Sequence, residues 1–230
     1  MGSFTYYLGS DGAWYAKVSS NYYKVEPVKW CVINENYDHD NDSSTPGKRL
    51  LLAENSLTGS IFYESDNNRT IDGNTVYPND YKHSRIRALI NGLTYNNDGV
   101  NNTEFNGTGL LQTAFTSAAQ NYILQTKVRY HDNAYASDKY VQDYIFLLDY
   151  DEATSITPAT NRIRTRTDFT SANGLNHDTS SNYNNYWLRW IQLSGTNTDY
   201  AYTVHDVDGN ISSRVRHVKY GIVPALCIDN

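Results

Sequence analysis

The chain has 230 residues, enough for one large domain or two small ones, and a single domain is expected. A formal charge of −6, with Lys and Arg scattered apart from a cluster at Arg162, Arg164 and Arg166, provides no electrostatic footprint for nucleic acid. Hydrophobic residues at 39% and charged residues at 19% leave room for Asn, Ser, Thr and 21 tyrosines, which excludes a disordered chain and points to a β-rich extracellular protein with long polar loops.

The opening MGSFTYYLGS lacks the basic start and apolar run of a signal peptide. MGS reads as an expression scar, residues 1–12 as a tag or disordered start, and residues 13–230 as one domain. No run approaches the roughly 18 apolar residues of a membrane span. Residues 14–33 alternate and are rich in Val and Tyr, the pattern of one or two strands. Residues 36–48, NYDHDNDSSTPGK, have the chemistry of an exposed hairpin tip, and the RLLLAEN that follows reads as a buried strand. Asp38, Asp40 and Asp42 alternate like the start of a calcium loop. Ser43 and Arg49 stand where its Gly and closing acid belong, so no metal is expected there.

SRIRALINGL places Ile86, Leu89, Ile90 and Leu93 on one helical face, with Ser84 as N-cap. Residues 116–128, TSAAQNYILQTKV, read as a second short helix capped by Thr116. Two helices in a β-rich chain predict an α+β fold. Residues 143–148 form a compact apolar strand running into the acidic DYDEA, and residues 161–181 are polar and irregular. The closing third reads as three or four strands, with DVDGN as a hairpin tip that pairs residues 201–207 with 211–215.

Motifs of catalysis are missing: no GxSxG, HExxH, phosphate-cradling glycine loop or CxxC occurs. The histidines, His39, His83, His131, His177, His205 and His217, lie among polar neighbours and read as surface or loop residues. Arg87 and Arg189 differ, because each is embedded in an apolar motif, RIRAL or YWLRW. Such an arginine needs a carboxylate or carbonyl partner, and Asp149, Asp151 and Glu152 are candidates. Cys31 and Cys227 sit in apolar runs, as buried thiols or as a disulfide tying the two ends together; their spacing makes no zinc pattern. Tyr with Asn and Ser is the composition that adaptable binding surfaces favour.

In order, EPVKWCVI, RLLLAENSL, SRIRALIN, LLQTAFTSAAQNYILQTKV, YIFLLDYDEA, NYWLRW and YGIVPAL resemble a family of uncharacterised bacterial domains of the WWLRS and GVRPAL type, across about residues 13–228. That family is similar to the C-type lectin fold in the version shared with formylglycine-generating enzymes and with the variable proteins of diversity-generating retroelements. The resemblance implies twisted antiparallel sheets with two short helices and long polar loops. It also implies a framework motif at Trp187–Arg189 beside a C-terminal binding face of Trp190, Gln192, Asn197, Asp199, Tyr200, Tyr202, His205, Ser213, Arg214, Arg216, His217, Lys219 and Tyr220. Period-two alternation puts Tyr200 and Tyr202 on one side of the sheet.

Departures limit what is carried over. Trp190 replaces the family's Ser after WLR, and Val223 replaces its Arg in GVRPAL. Only Cys227 lies late in the chain, so the cysteine pair of the oxidases is missing. Glu26-Pro27 continues into Val28, so the calcium motifs of animal lectins are absent. The fold implies pairing of the first and last long strands, which would bring Cys31 near Cys227. The expectation is a non-enzymatic extracellular or cell-surface receptor-like domain with no metal or cofactor, binding a protein and open to retroelement diversification. A fixed-specificity glycan-binding module is the alternative. A third reading, an enzyme on the oxidase-like version of the fold, requires a deep pocket holding His or Cys with a perturbed pKa.

Overall fold

Alternating apolar residues set most of the chain into short strands, with helices only where a capping residue precedes a helical apolar stripe. The computed structural model describes residues 5–18, 20–38, 47–64, 67–97, 100–132, 137–172, 175, 182–191 and 200–230. The first half holds β1 (Thr5–Leu8), β2 (Trp14–Val18), β3 (Asn21–Lys24), β4 (Trp30–Tyr37), β5 (Lys48–Ala53), β6 (Asn55–Ser56), β7 (Thr58–Ser60), β8 (Arg69–Ile71), β9 (Asn74–Val76), α1 (Arg85–Asn91), β10 (Tyr95–Asn97), β11 (Val100–Asn102) and α2 (Leu110–Ala114). The second half holds α3 (Ser117–Gln120), β12 (Thr126–Asp132), β13 (Ser137–Asp143), β14 (Ile145–Phe146), α4 (Tyr150–Ser155), β15 (Thr165–Arg166), α5 (Asp168–Ala172), β16 (Tyr186–Ile191), β17 (Tyr200–Val204), β18 (Ile211–Val215), β19 (Tyr220–Ile222) and β20 (Ala225–Ile228). The class is α+β, with mostly antiparallel sheets and a few short helices.

Two sheets carry the core. One has the order β18-β17-β16-β19-β7 and the other β14-β20-β5-β4; a three-stranded meander, β1-β2-β3, stands apart from both. Trp187 on β16 is fully buried, edge-to-face with Phe62 at 5.5 Å and Tyr220 at 5.0 Å. Its indole N–H, which burial would otherwise leave unpaired, donates to the Ser60 carbonyl at 2.8 Å. Leu50 and Leu52 of β5, Ile86 and Ile90 of α1, and Phe146 of β14 complete the same core.

The SRIRALING expectation holds for Ser84, Ile86, Leu89 and Ile90, while Leu93 lies beyond the end of the helix. Ser84 Oγ accepts from the Arg87 N–H, Gly92 closes the helix in the left-handed region at φ 68°, and Ile86, Ala88, Leu89 and Ile90 are buried. The DVDGN turn joins β17 to β18 in the expected hairpin, with Tyr202 opposite Ser213.

Other expectations need correction. Helix over residues 116–128 is confined to α3, where Thr116 caps the Ala119 N–H; residues from Thr126 onward form β12. Thr126, Val128 and Tyr130 point inward with a period of two, and pairing with β13 overrides the helix-forming Ala and Gln before them. Residues 14–33 yield two strands and the start of a third. Thr5–Leu8, within the stretch read as tag or disordered start, is paired with β2. The polar residues 161–181 include β15 and α5. Asp40 and Asp42 of the calcium-like pattern lie outside the described residues. Among those residues no helix is long and apolar enough to cross a membrane.

The cysteines are separated rather than adjacent. β5 runs between β4 and β20, with Cys31 opposite Leu52 and Cys227 opposite Leu50. Two strand spacings amount to about 9.6 Å, beyond the roughly 7 Å that a disulfide spans. Both thiols are free, and burial pushes the Cys227 thiol up to about 11. Alkylation in denaturant without reductant should therefore label both cysteines in mass spectrometry; an unlabelled pair two hydrogens lighter would contradict this strand order.

Candidate functional site

The WLRW segment builds the site through a register shift. β16 pairs with β17 at Trp187 with Thr203 and next at Ile191 with Ala201, so three residues, Leu188–Trp190, stand opposite Tyr202 alone. Arg189 enters the interior there and is only 1% exposed. Its Nε donates to the Arg129 carbonyl at 2.6 Å. Nη1 donates to the Leu147 carbonyl and to Glu152 Oε2, the latter at 2.6 Å. Nη2 donates to Glu152 Oε1 at 2.6 Å and Asp149 Oδ2 at 3.2 Å. All the N–H donors of a guanidinium are thus engaged, the condition for burying such a charge.

The acceptors are themselves fixed. Asp149 is the N-cap of α4 and forms a capping box with Glu152, each side chain accepting from the other's backbone N–H at 2.8 Å. Tyr37 donates its hydroxyl to Glu152 Oε1. One arginine therefore ties β16, the N-terminus of α4 and β4 together. Of the candidate partners, Asp149 and Glu152 pair with Arg189, while Arg129 pairs with Asp151 at 2.6 Å and shares Asp149 at 3.0 Å. Arg87 instead finds Asp143, at 2.7 Å.

A recess of 260 Å³ opens over this network, lined by five carboxylates (Asp38, Asp138, Asp149, Asp151 and Glu152), Arg129, Arg189, Tyr37 and Tyr140. Aromatic rings stand around it. The Arg129 guanidinium lies 4.8 Å from the Trp190 ring centroid, and the His131 ring, held by Asp138 at 2.9 Å, lies 5.7 Å from the same indole. Tyr150 of α4 packs on Tyr202 at 5.3 Å. Both arginines are engaged by acids, so the recess retains an acidic excess that suits a cationic group.

Of the thirteen expected face residues, Trp190 and Tyr202 belong to this rim. Tyr200 shares the side of Tyr202, with Ala201 and Thr203 buried on the other, and Ser213 faces the same way as Tyr202. Gln192, Asn197 and Asp199 lie outside the described residues. His205 sits at the hairpin turn, 3.1 Å from Asp208, and His217 is exposed. The remaining four correct the expectation of one continuous face. Arg216 is fully buried, Tyr220 is buried against Trp187, Arg214 bonds Tyr220, and Lys219 lies beside Arg85. Arg214 falls on the reverse of the sheet from Ser213, because successive strand residues alternate sides, while Arg216 and Lys219 lie in the turn between β18 and β19.

A second polar region escaped the sequence. Two cavities of 460 and 320 Å³ share Ile71, Asp72, Lys82 and His83, between the β8–β9 hairpin and the start of α1. Burial first, then the charges of Lys82, Arg69 and Arg87, lower the His83 pKa to about 4. Asp80, which lines the smaller cavity, is raised by burial to about 7, although it accepts from the His83 backbone N–H at 2.8 Å. Nothing in the polar string NDYKHSR marks Asn79 and Asp80 for burial or His83 for half-burial.

Residues 46–230 match the family described as Domain of unknown function (DUF6273), and the chain belongs to that family. No curated protein and no solved structure matches the chain. Among the described residues, no three His, Cys, Asp or Glu side chains are grouped to hold a metal ion.

Arg189→Met leaves Glu152 without its cation and Asp149 with Arg129 alone, and should destabilise the fold by about 3–5 kcal/mol in urea denaturation; a loss below about 1 kcal/mol would show the network to be dispensable. For Asp80, a raised folded-state pKa means a contribution present below its ordinary 3.8 and lost as pH rises through about 7. His83 has the opposite sign, contributing above its ordinary 6.5 and losing that as pH falls through about 4. Asp80→Asn should therefore gain stability relative to the wild type between about pH 4 and pH 8, and a pH-independent difference would contradict the burial of a carboxyl there.

Proposed function

We propose that the protein is a non-enzymatic, extracellular or cell-surface ligand-binding domain of C-type-lectin-like architecture, in the formylglycine-generating-enzyme version. It engages a protein ligand through the rim formed by Trp190, Tyr202, Tyr150 and Tyr140. The observation that carries this reading is the placement of partly exposed aromatic side chains on a buried, fully hydrogen-bonded ion network. Aromatics held in place before binding lose little freedom on contact, and such anchors dominate interface energetics. The acidic recess between them favours a ligand that inserts a Lys or Arg side chain.

Tyr200, Tyr202 and Ser213 share one side of the β17–β18 hairpin, an arrangement on which retroelement diversification would act without disturbing Trp187 and Arg189. An enzymatic reading draws on His83 and its depressed pKa. Binding is preferred because the His83 imidazole has no side-chain hydrogen bond among the described residues to orient it for proton transfer.

A random peptide phage library panned against the domain tests the proposal. Enriched peptides should carry Lys or Arg beside aromatic residues, and Tyr202→Ala or Tyr150→Ala should weaken them about 30-fold, the equivalent of about 2 kcal/mol. Tyr122→Ala, 76% exposed and outside the recess, should leave affinity unchanged. Wild-type affinity in both rim variants would remove the site from this surface.

A further inference from the structure

We propose that a second ligand site, for a neutral saccharide, lies in the slot between the N-terminal β1-β2-β3 sheet and the body of the domain. The slot is a cavity of 460 Å³, within the ordinary range for small-ligand sites. Register creates it. Tyr6, Ala16 and Tyr23 are cross-strand neighbours in one row, so a methyl group stands between two phenol rings on the inner side of the sheet. The two tyrosine backbones are two strands apart, about 9.6 Å, and the intervening alanine leaves a notch wide enough for one sugar ring. Phe169 of α5 meets Tyr23 nearly at right angles, with centroids 6.3 Å apart and an interplanar angle of 85°.

The opposite wall supplies polar groups with capacity to spare. Asp168, the first residue of α5, makes no hydrogen bond or ion pair among the described residues and lines the slot. Asn55 donates its amide N–H to Thr165, which leaves its carbonyl oxygen as an acceptor. Thr113 donates to the Gly109 carbonyl at 2.8 Å and keeps its lone pairs. Charges at the rim balance, Lys24 and Arg166 against Glu26 and Asp168.

This combination selects one chemistry. A pyranose has apolar C–H faces that pack on aromatic rings and an equatorial belt of hydroxyls that pairs with carboxylates, amides and cations. An acyl chain would cover the Asp168 carboxylate and give it no partner. An added peptide strand needs a free strand edge, whereas the slot presents the side of the sheet. An ion would meet no opposite net charge. Tyr6, Ala16 and Tyr23 precede the family match at residues 46–230, while Asn55, Thr113, Asp168 and Phe169 lie within it. The family domain thus supplies one wall and this chain's leading segment the other.

The slot shares no residue with the rim around Arg189, so each proposal stands or falls separately. The test is isothermal titration of the full chain with three neutral probes, chitotriose, cellotriose and maltotriose. At least one should bind, with affinity lowered tenfold or more by Tyr23→Ala and by Asp168→Asn. The second variant sits on the surface of α5 and keeps the result interpretable if the first disturbs the meander. No binding by any of the three, or binding unaltered in both variants, overturns the site.

Discussion

A guanidinium can be buried only if every N–H finds an acceptor and its charge finds an acid, and the architecture around β16 is the consequence of meeting that demand for Arg189. Its acceptors come from the middle of β12, the run after β14, and the capping box of α4. These segments are remote in sequence, so each must be positioned by its own packing before the network can close. Trp187, two residues earlier on the same strand, does the equivalent for the apolar side: its rings and its bond to Ser60 fasten β16 to β7 and β19.

That division explains how a rigid framework and a wet aromatic surface coexist in NYNNYWLRW. The register shift between β16 and β17 aims Arg189 inward and leaves Trp190 at the rim beside Arg129 and His131. The asparagine at Asn184 serves the interior, donating to the Asn185 carbonyl. Polarity in this stretch therefore has two sources, backbone satisfaction on one side and exposed surface on the other. Edge protection follows a similar economy: β4, at the edge of its sheet, carries register shifts after Val32 and after Asn34, which spoil its use as a template for another strand.

Much of this was legible in the sequence where the signal was local. Ser84, the apolar stripe of α1 and Gly92 define a helix by capping and periodicity alone. Arg189 announced a buried charge by its apolar neighbours, and the nearby DYDEA held its partners. The rest depends on tertiary pairing. Residues 116–128 contain good helix formers, and only the availability of β13 makes Thr126–Asp132 a strand. The separation of Cys31 from Cys227 rests on β5 lying between their strands, which no local pattern encodes. The expected face divided because Arg214, Arg216 and Tyr220 turn toward the core side, a matter of register and of the β18–β19 turn. Burial of Asp80 and half-burial of His83 required a hairpin, β8–β9, folded over a string that reads as exposed.

Arg189 and the acids of α4 act as one unit that holds the rim in place. A double-mutant cycle between Arg189→Met and Glu152→Gln, read by equilibrium denaturation, tests it most directly. A coupling energy of about 2–3 kcal/mol is predicted for residues sharing one network. Additivity within about 0.5 kcal/mol would mean that the two side chains contribute independently, and would contradict the account.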